Sequence, residues 1–565
     1  MKFRKYLSLI IFNKTAVFAG LCFLMIFPKD VLAQDKKKWN ERGEIEDTQI
    51  IIEKDKKIVL PEAVRNFEKV PVQPKNQVRQ IEPYKFDDFE VSLADIETKM
   101  RVLTAKQDEL KKLYGNYLKS GYGSYGTSYL EGFFNNKRNE KVSYGARVKH
   151  LASRFGHIDQ ENSGNSDNEA GIFGKAYTDY VVLSGAVDYS RERYNFYGYP
   201  RVLDPKPDND DIKHLIQSFG GKVEIENNLK DAALDYHITA QASTIFNNYN
   251  VRENEFGAKI SGEYTLATSS RILANIEAYL TKVEDEYSFN RNFFKINPYY
   301  QFHYKGFLLK LGGNIIYEND SVRSTKFHIF PSAEGSYQFF PEITAYAGVE
   351  GDVQRTSLKG FLSENPFLAP NANLLHTQKI IDIYGGFKGK VLTNLAYNLK
   401  VSAADYKNLY FYKNNISDPS KFDIVYDNIT AVFSYLAELS YTHSEKLNLG
   451  LRLEGFGYNL QNLEQHYHRP NYTGTFIGRY DIKQKISITS ELFYINGLIA
   501  ADEYDGGDIR ELDDIVDLNI KLDYRFSPKF SAFVHGNNLL GKNYQRYLYY
   551  PTRGFNILAG LTFSF

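Results

Sequence analysis

The chain has 565 residues, 69 basic against 69 acidic, 15 % aromatics, 44 Tyr, one Trp and one Cys. A mean hydropathy well below zero, without repeated long apolar runs, excludes a helical transporter. Zero net charge argues against nucleic acid as a partner, and a single Cys excludes a disulfide framework or thiolate metal cluster.

Residues 1–33 have the layout of an export signal. Lys2, Arg4 and Lys5 form a basic start, residues 15–27 are apolar, and Val31-Leu32-Ala33 precedes Gln34. That is a secretory signal peptide cut between Ala33 and Gln34. The apolar run is too short to span a bilayer comfortably, and Pro28-Lys29-Asp30 ends it. Cys22 leaves with the signal, and the bulky Leu21 before it disfavours a lipid anchor. The mature chain is then expected to lack Cys and to carry 64 basic against 68 acidic residues, a net charge of −4.

Residues 34–112 are 17 basic plus 17 acidic out of 79, with five aromatics and Gly43 as the lone glycine. Pro61, Pro71, Pro74 and Pro83 break the segment into short pieces, so an independent core is not expected. It reads as a periplasmic or lumen-filling segment. Residues 48–52 and 58–60 are apolar enough to add as strands to a partner protein of the periplasm or outer membrane, and residues 100–112 suit a short helix.

From 113 to 565 the texture changes to dense aromatics, scattered Gly and period-2 alternation. Phe307, Leu309, Leu311, Gly313, Ile315 and Tyr317 share one face, with Lys310, Gly312, Asn314 and Glu318 on the other. The same pattern recurs at 343–354, 447–454 and 516–526. Alternation at this period puts one residue set on each side of a sheet. A soluble sandwich also alternates, but three features favour a transmembrane barrel. The segments run longer than ordinary soluble strands. Aromatics gather at their ends, as at Tyr299, Tyr300, Phe302 and Tyr304 or Tyr337, Phe339 and Phe340. Short connections such as Tyr304-Lys305-Gly306 and 339–341 alternate with long polar ones, 355–376 and 405–423. Twenty-one alternating segments lie between about 127 and 565, and a chain starting and ending in the periplasm crosses an even number of times. A further strand between 113 and 125 gives 22, with 20 as the lower count. The expected fold is an all-β, outer-membrane β-barrel of about 22 antiparallel strands, closed so that no backbone group meets lipid unpaired.

The end of the chain carries a family pattern. Asn537-Asn538-Leu539-Leu540-Gly541-Lys542-Asn543-Tyr544 is followed by Tyr550-Pro551, Arg553-Gly554 and a final segment, 555–565, ending in Phe. This closely resembles the C-terminal signature of TonB-dependent receptors, and Glu364-Asn365-Pro366-Phe367-Leu368 resembles a loop element of that family. The resemblance covers the barrel portion only. It implies a 22-stranded barrel in outer-membrane lipid, inserted by the barrel-assembly machinery through a signal whose aromatic positions are Phe563 and Phe565. The family's Gly-rich plug domain has no recognisable counterpart in residues 34–112. A barrel of this size without a plug would leak, so that segment, inward-folded loops or another protein is expected to close it. Asp47 to Ile52 is faintly similar to the family's energy-coupling box, a match that a segment this charged produces by chance.

Other motifs read more plainly as structure. Gly121-Tyr122-Gly123-Ser124-Tyr125-Gly126 matches a dinucleotide fingerprint, but strand rather than helix is expected after it, so its glycines are read as kinking an early barrel strand. His466 and His468 lack a third metal ligand at known spacing. The acidic stretch from Asp502 to Asp514 lacks calcium-loop spacing. No GxSxG or HExxH occurs, so no catalytic residue, cofactor or metal is assigned and the chain is not read as an enzyme. Tyr406, Tyr410, Phe411 and Tyr412, in the expected external loop 405–423, are candidate binding residues as exposed aromatics. The polar face with Glu350, Asp352, Lys521, Asp523 and Arg525 is expected to line the lumen. Two functions follow: transport or uptake across the outer membrane, or a plugless barrel serving as scaffold in an envelope assembly.

Overall fold

Alternating residues pair into one continuous sheet in the computed structural model, which describes residues 114–136, 139–200, 206–229, 232–319 and 326–565. The expected signal peptide with its Ala33–Gln34 cleavage site and the segment 34–112 lie outside the described residues.

The sheet contains 23 strands, of which Ser288–Asn290 is a short extension lying only against Ser270–Glu284. The other 22 close a ring. The first strand, Tyr117–Gly123, pairs antiparallel with the last, Asn556–Ser564, setting Tyr117 opposite Ser564 and Gly123 opposite Leu558. The first strand is the one expected between 113 and 125. Closure leaves no edge unpaired, as hydrocarbon requires. At the seam Gly121 faces Gly560, and a Cβ on Gly560 would run into the Ser120 carbonyl.

The outer face is apolar throughout its middle. Phe307, Leu311, Ile315 and Tyr317 are exposed, while Ile316 and Glu318 between and beyond them are buried. An apolar surface of this extent, circling the barrel, is a lipid face. Of the expected aromatic clusters, Tyr300, Tyr304, Tyr337, Phe339 and Phe340 are exposed on it. Tyr299 instead turns inward and accepts from Asn275 Nδ2 at 3.0 Å. Phe563 and Phe565 stand at the end of the last strand, rings 5.3 Å apart and Phe563 packed on Phe530.

Connections at one end have two to six residues; at the other they have three to 22. In bacterial barrels the short turns are periplasmic and the long loops external. The turn Lys305-Gly306 has φ of 44° and 80°, the pair of positive values that joins twisted strands most tightly. The glycine fingerprint corrects one expectation. Its glycines do not kink a strand: the first strand ends at Gly123, and Ser124–Gly126 forms a turn with Tyr125 and Gly126 at φ of 60° and 61°. Thr127–Asn135 then runs back as the second strand.

A second correction concerns 405–423. It is mostly strand: Leu395–Asn414 and Phe422–His443 pair well past their neighbours and leave only 415–421 as loop. Two features hid this. Asn408, at φ of 55°, interrupts the ladder for one position, with the register the same on either side. Above the lipid both faces are covered by protein, which removes the apolar–polar contrast that marks a strand in sequence.

Candidate functional site

At the long-loop end the loops pack on one another and reach across to distant strands of the ring. The connection 355–376 carries the helix Leu358–Glu364, begun by Ser357, whose hydroxyl accepts from Gly360 N–H. A second acceptor comes from the wall: Glu253 Oε2 takes the Leu358 N–H at 2.9 Å, placing a carboxylate at the positive end of the helix. Leu358, Phe361 and Leu362 are buried with Ile245, Val251 and Val283 of the wall, and with Tyr412, Phe422 and Tyr547 from other parts of the ring. Each such side chain contributes about 1.5–3 kcal/mol on burial.

The sequence Glu364-Asn365-Pro366-Phe367-Leu368 then crosses between distant walls. His214 Nδ1 donates to Pro366 O at 2.7 Å, Tyr410 OH to Glu364 Oε2 at 2.7 Å, and Tyr547 OH to Glu364 O at 2.7 Å. Phe422 N–H donates to Phe367 O at 2.9 Å, while Ala369 N–H donates to Phe422 O at 2.8 Å, so Leu368 and Phe422 form a parallel bridge. Phe367 stacks on Tyr550 with centroids 3.7 Å apart.

The base of this cap is clamped by a residue that no motif announced. Arg291, in the loop before Asn292–Tyr304, is 2 % exposed. It donates to Thr356 O at 3.1 Å, Thr356 Oγ1 at 2.9 Å and His376 Nδ1 at 3.2 Å, and lies 3.9 Å from Glu253. One guanidinium thus holds both ends of the loop. Arg355 pairs with Glu255 and covers the Tyr279 ring at 3.8 Å.

Two buried imidazoles are held neutral. His468 donates from Nδ1 to Tyr412 O at 2.8 Å and accepts at Nε2 from Leu548 N–H at 3.3 Å. Burial pushes its pKa down to about 4. Burial, with Arg291 and Arg355 alongside, holds His376 well below the usual imidazole range. Protonation would set an N–H against the Leu548 N–H in one case and a cation against Arg291 in the other.

The C-terminal signature builds the adjoining wall of the cap. Asn538, buried at φ of 46°, donates from Nδ2 to Lys542 O and Arg553 O at 2.6 and 2.8 Å, tying the start of the last loop to its end. Tyr544 OH donates to Asp517 at 2.5 Å. Tyr547 and Tyr550 project into the cap's apolar cluster.

The four candidate aromatics do not form one exposed surface. Tyr412 is 2 % exposed within the cap cluster, and Phe411 is fully buried on the opposite face with Leu409, Tyr467 and Ala501. Tyr406 packs beside that second cluster, and Tyr410 meets Phe361 edge-on at 4.9 Å under the Arg469 guanidinium. His466 bonds to Asn471 and Gly497, away from the partners of His468. Asp502, in the acidic stretch, is buried and takes Tyr549 OH at 2.5 Å and Arg510 at 2.7 Å. Among the described residues no group of three or more His, Asp or Glu could hold a metal ion.

Beneath the cap the inner wall is polar and charge-paired. Lys149 lies 2.7 Å from both Asp167 and Glu169, and Lys295 is 2.8 Å from Asp352. Lys379 sits between Glu350 and Asp382, and Lys119 is 3.6 Å from Asp523. Glu350, Asp352 and Asp523 thus stand on the lumen face.

Neither a protein-family model nor any curated protein sequence matches the chain. Solved structures do. The FrpB iron transporter from Neisseria meningitidis (F3-3 variant) superposes with a TM-score of 0.62 at 11 % identity, over 81 % of this chain and 82 % of that one. The ferric-catecholate import receptor Fiu from E. coli K12 gives 0.59 at 12 %, over 80 % and 82 %. The siderophore receptor PirA from Pseudomonas aeruginosa gives 0.55 at 13 %, over 80 % and 79 %. The chain shares their large-barrel fold.

Proposed function

We propose that this chain is an outer-membrane uptake receptor of the TonB-dependent class, whose loops close the mouth until a ligand is engaged. The carrying observation is the cap: one loop, anchored by Arg291 and Glu253 on one wall and by Phe422 and Tyr550 on others, lies across a lumen of paired charges. A scaffold gains nothing from closing its mouth, whereas a receptor exchanges these internal contacts for contacts with its ligand. The C-terminal signature, and structural likeness to proteins described as an iron transporter, a ferric-catecholate import receptor and a siderophore receptor, support the same reading. Ferric chelates are therefore the first ligand class to offer, with Tyr406 and Tyr410 as the mouth aromatics nearest to hand. Residues 34–112 would supply the periplasmic contact to an energy-coupling partner.

The test is accumulation of radioactive iron from a panel of ferric chelates by cells with and without the chain. Uptake that needs the chain and stops when residues 34–112 are removed supports the reading. No chain-dependent uptake, together with a stoichiometric envelope partner that co-purifies in mild detergent and is lost without that segment, would replace it with the scaffold.

A further inference from the structure

We propose that the outer wall at the long-loop end of Lys213–Asn227, Leu234–Asn247, Arg252–Ala267 and Ser270–Glu284 binds a phosphorylated lipid of the outer leaflet. The argument starts from unpaired cations. In the lumen Lys149, Lys295, Lys379 and Arg452 each contact a carboxylate. Arg191 and Arg193 have no ion pair among the described residues, and Arg193 Nε is buried without a hydrogen-bond partner; Arg252 makes no direct ion-pair contact but has Glu284 as its cross-strand neighbour. All three point outward. Arg191 and Arg193 share parity with the exposed Val187 and Tyr189, and Arg252 with the exposed Phe256 and Ile260.

Cross-strand pairing sets Arg191, Gln217, Phe246, Arg252 and Glu284 in one row around the barrel, with Arg193 one outward position further up its strand. Arg252 lies over the Phe246 ring at 5.5 Å. Directly below the row is an open groove of about 610 Å³. Gly221 and Ala242 leave its floor low, Phe219, Phe256 and Leu280 form its walls, and Lys282 stands at its polar edge. Lys282 reaches Glu284 at 2.6 Å, and Asp285 and Glu286 follow in the next loop. Below the groove the outward positions Val223 and Ile260 continue into the lipid face.

Charge and shape together select the occupant. An unpaired guanidinium at the border of hydrocarbon finds its counter-charge in a headgroup, and its planar fork fits phosphate through two parallel bonds. A groove with small residues on its floor and aromatic walls, opening downward into the lipid face, takes an acyl chain below that headgroup. A soluble anion would use the arginines and ignore the groove. The proposal stands outside the barrel and does not rest on the uptake reading.

Native mass spectrometry of the full chain in neutral detergent tests it, with bis-phosphorylated lipid A as probe, its dephosphorylated form as comparison and inorganic phosphate as competitor. Folding of each variant is checked by heat-modifiable gel mobility. We expect the phosphorylated lipid to be retained, and binding to fall about a hundredfold in R191Q/R193Q/R252Q, since three cations act on one headgroup. A242W, which fills the groove with the arginines intact, should also weaken binding, and carries the test alone if the triple variant does not fold. Equal retention by the variants, equal binding of the dephosphorylated lipid, or displacement by equimolar inorganic phosphate would overturn the proposal.

Discussion

The mouth and the inner wall below it rise from the same strands and are held by opposite means. At the mouth Phe361, Phe411 and Phe422 are at most 3 % exposed, and Arg291 is sealed among the Thr356 carbonyl and hydroxyl, Glu253 and a neutral imidazole. On the wall Arg452 is half exposed between Glu438 and Glu454, 2.8 Å from each. Buried contacts are strong and fail together, because removing one partner strands another without solvent. Half-solvated ion pairs are individually weak and screened by water. A cap built in the first way has two states, closed or released; a wall built in the second stays wet and tolerates passage.

Removing the cap should break the comparison most severely. Replacing 357–374 by a short Gly-Ser linker should let an external maleimide reach S434C at a rate higher by an order of magnitude or more. Ser434 pairs with Ser402 at 2.8 Å on the lumen face. The lone native Cys, Cys22, falls in the expected signal peptide, so background labelling should be low. Unchanged labelling would mean that another element closes the lumen.

Arg291→Met comes next. It leaves Glu253 buried and Thr356 O short of a donor, at a cost of about 3–5 kcal/mol for a broken buried pair. Protease nicking within 355–376 of intact cells should accelerate sharply while the barrel keeps its heat-modifiable gel mobility.

Acid should loosen the same region more gently. His468 and His376 are buried neutral, with folded-state pKa values below that of a free imidazole. Their contribution to the closed state is complete above about pH 6.5 and is lost as the pH falls toward about 4, where His468 takes up its proton. Labelling of S434C should therefore rise between these values, and His468→Gln should flatten part of the rise. A pH-independent rate would show that neither imidazole supports the closed cap.

The smallest effect belongs to the wall. Arg452→Met should change stability by less than about 1 kcal/mol, since its pairs are solvated. A larger loss on heating would mean that the lumen ion pairs carry stability after all.

The barrel could be read from the chain residue by residue. Strict alternation at 307–317 and 516–526 comes from a surface with lipid on one side and water on the other, and that contrast is written into side-chain chemistry. The cap could not. Above the lipid the contrast vanishes, so the strand through Tyr406 and Phe411 looked like a loop and its aromatics looked exposed. Arg291 carries no local signal, because its partners Thr356, His376 and Glu253 lie 38 to 85 positions away. The Asn538 turn and the Tyr550-Pro551 pair were visible as a signature, but not their work in tying the last loop and filling the cap.

By itself, then, the sequence determined that strands form, which faces meet lipid and that about 22 of them make a closed ring, with 20 left open, because period, length and turn chemistry are local properties. Only the tertiary structure decided that one loop reaches across the mouth and what holds it there. That outcome depends on which distant loops share the space above the ring, and buried polar contacts between them are chosen by proximity, not by neighbours in the chain.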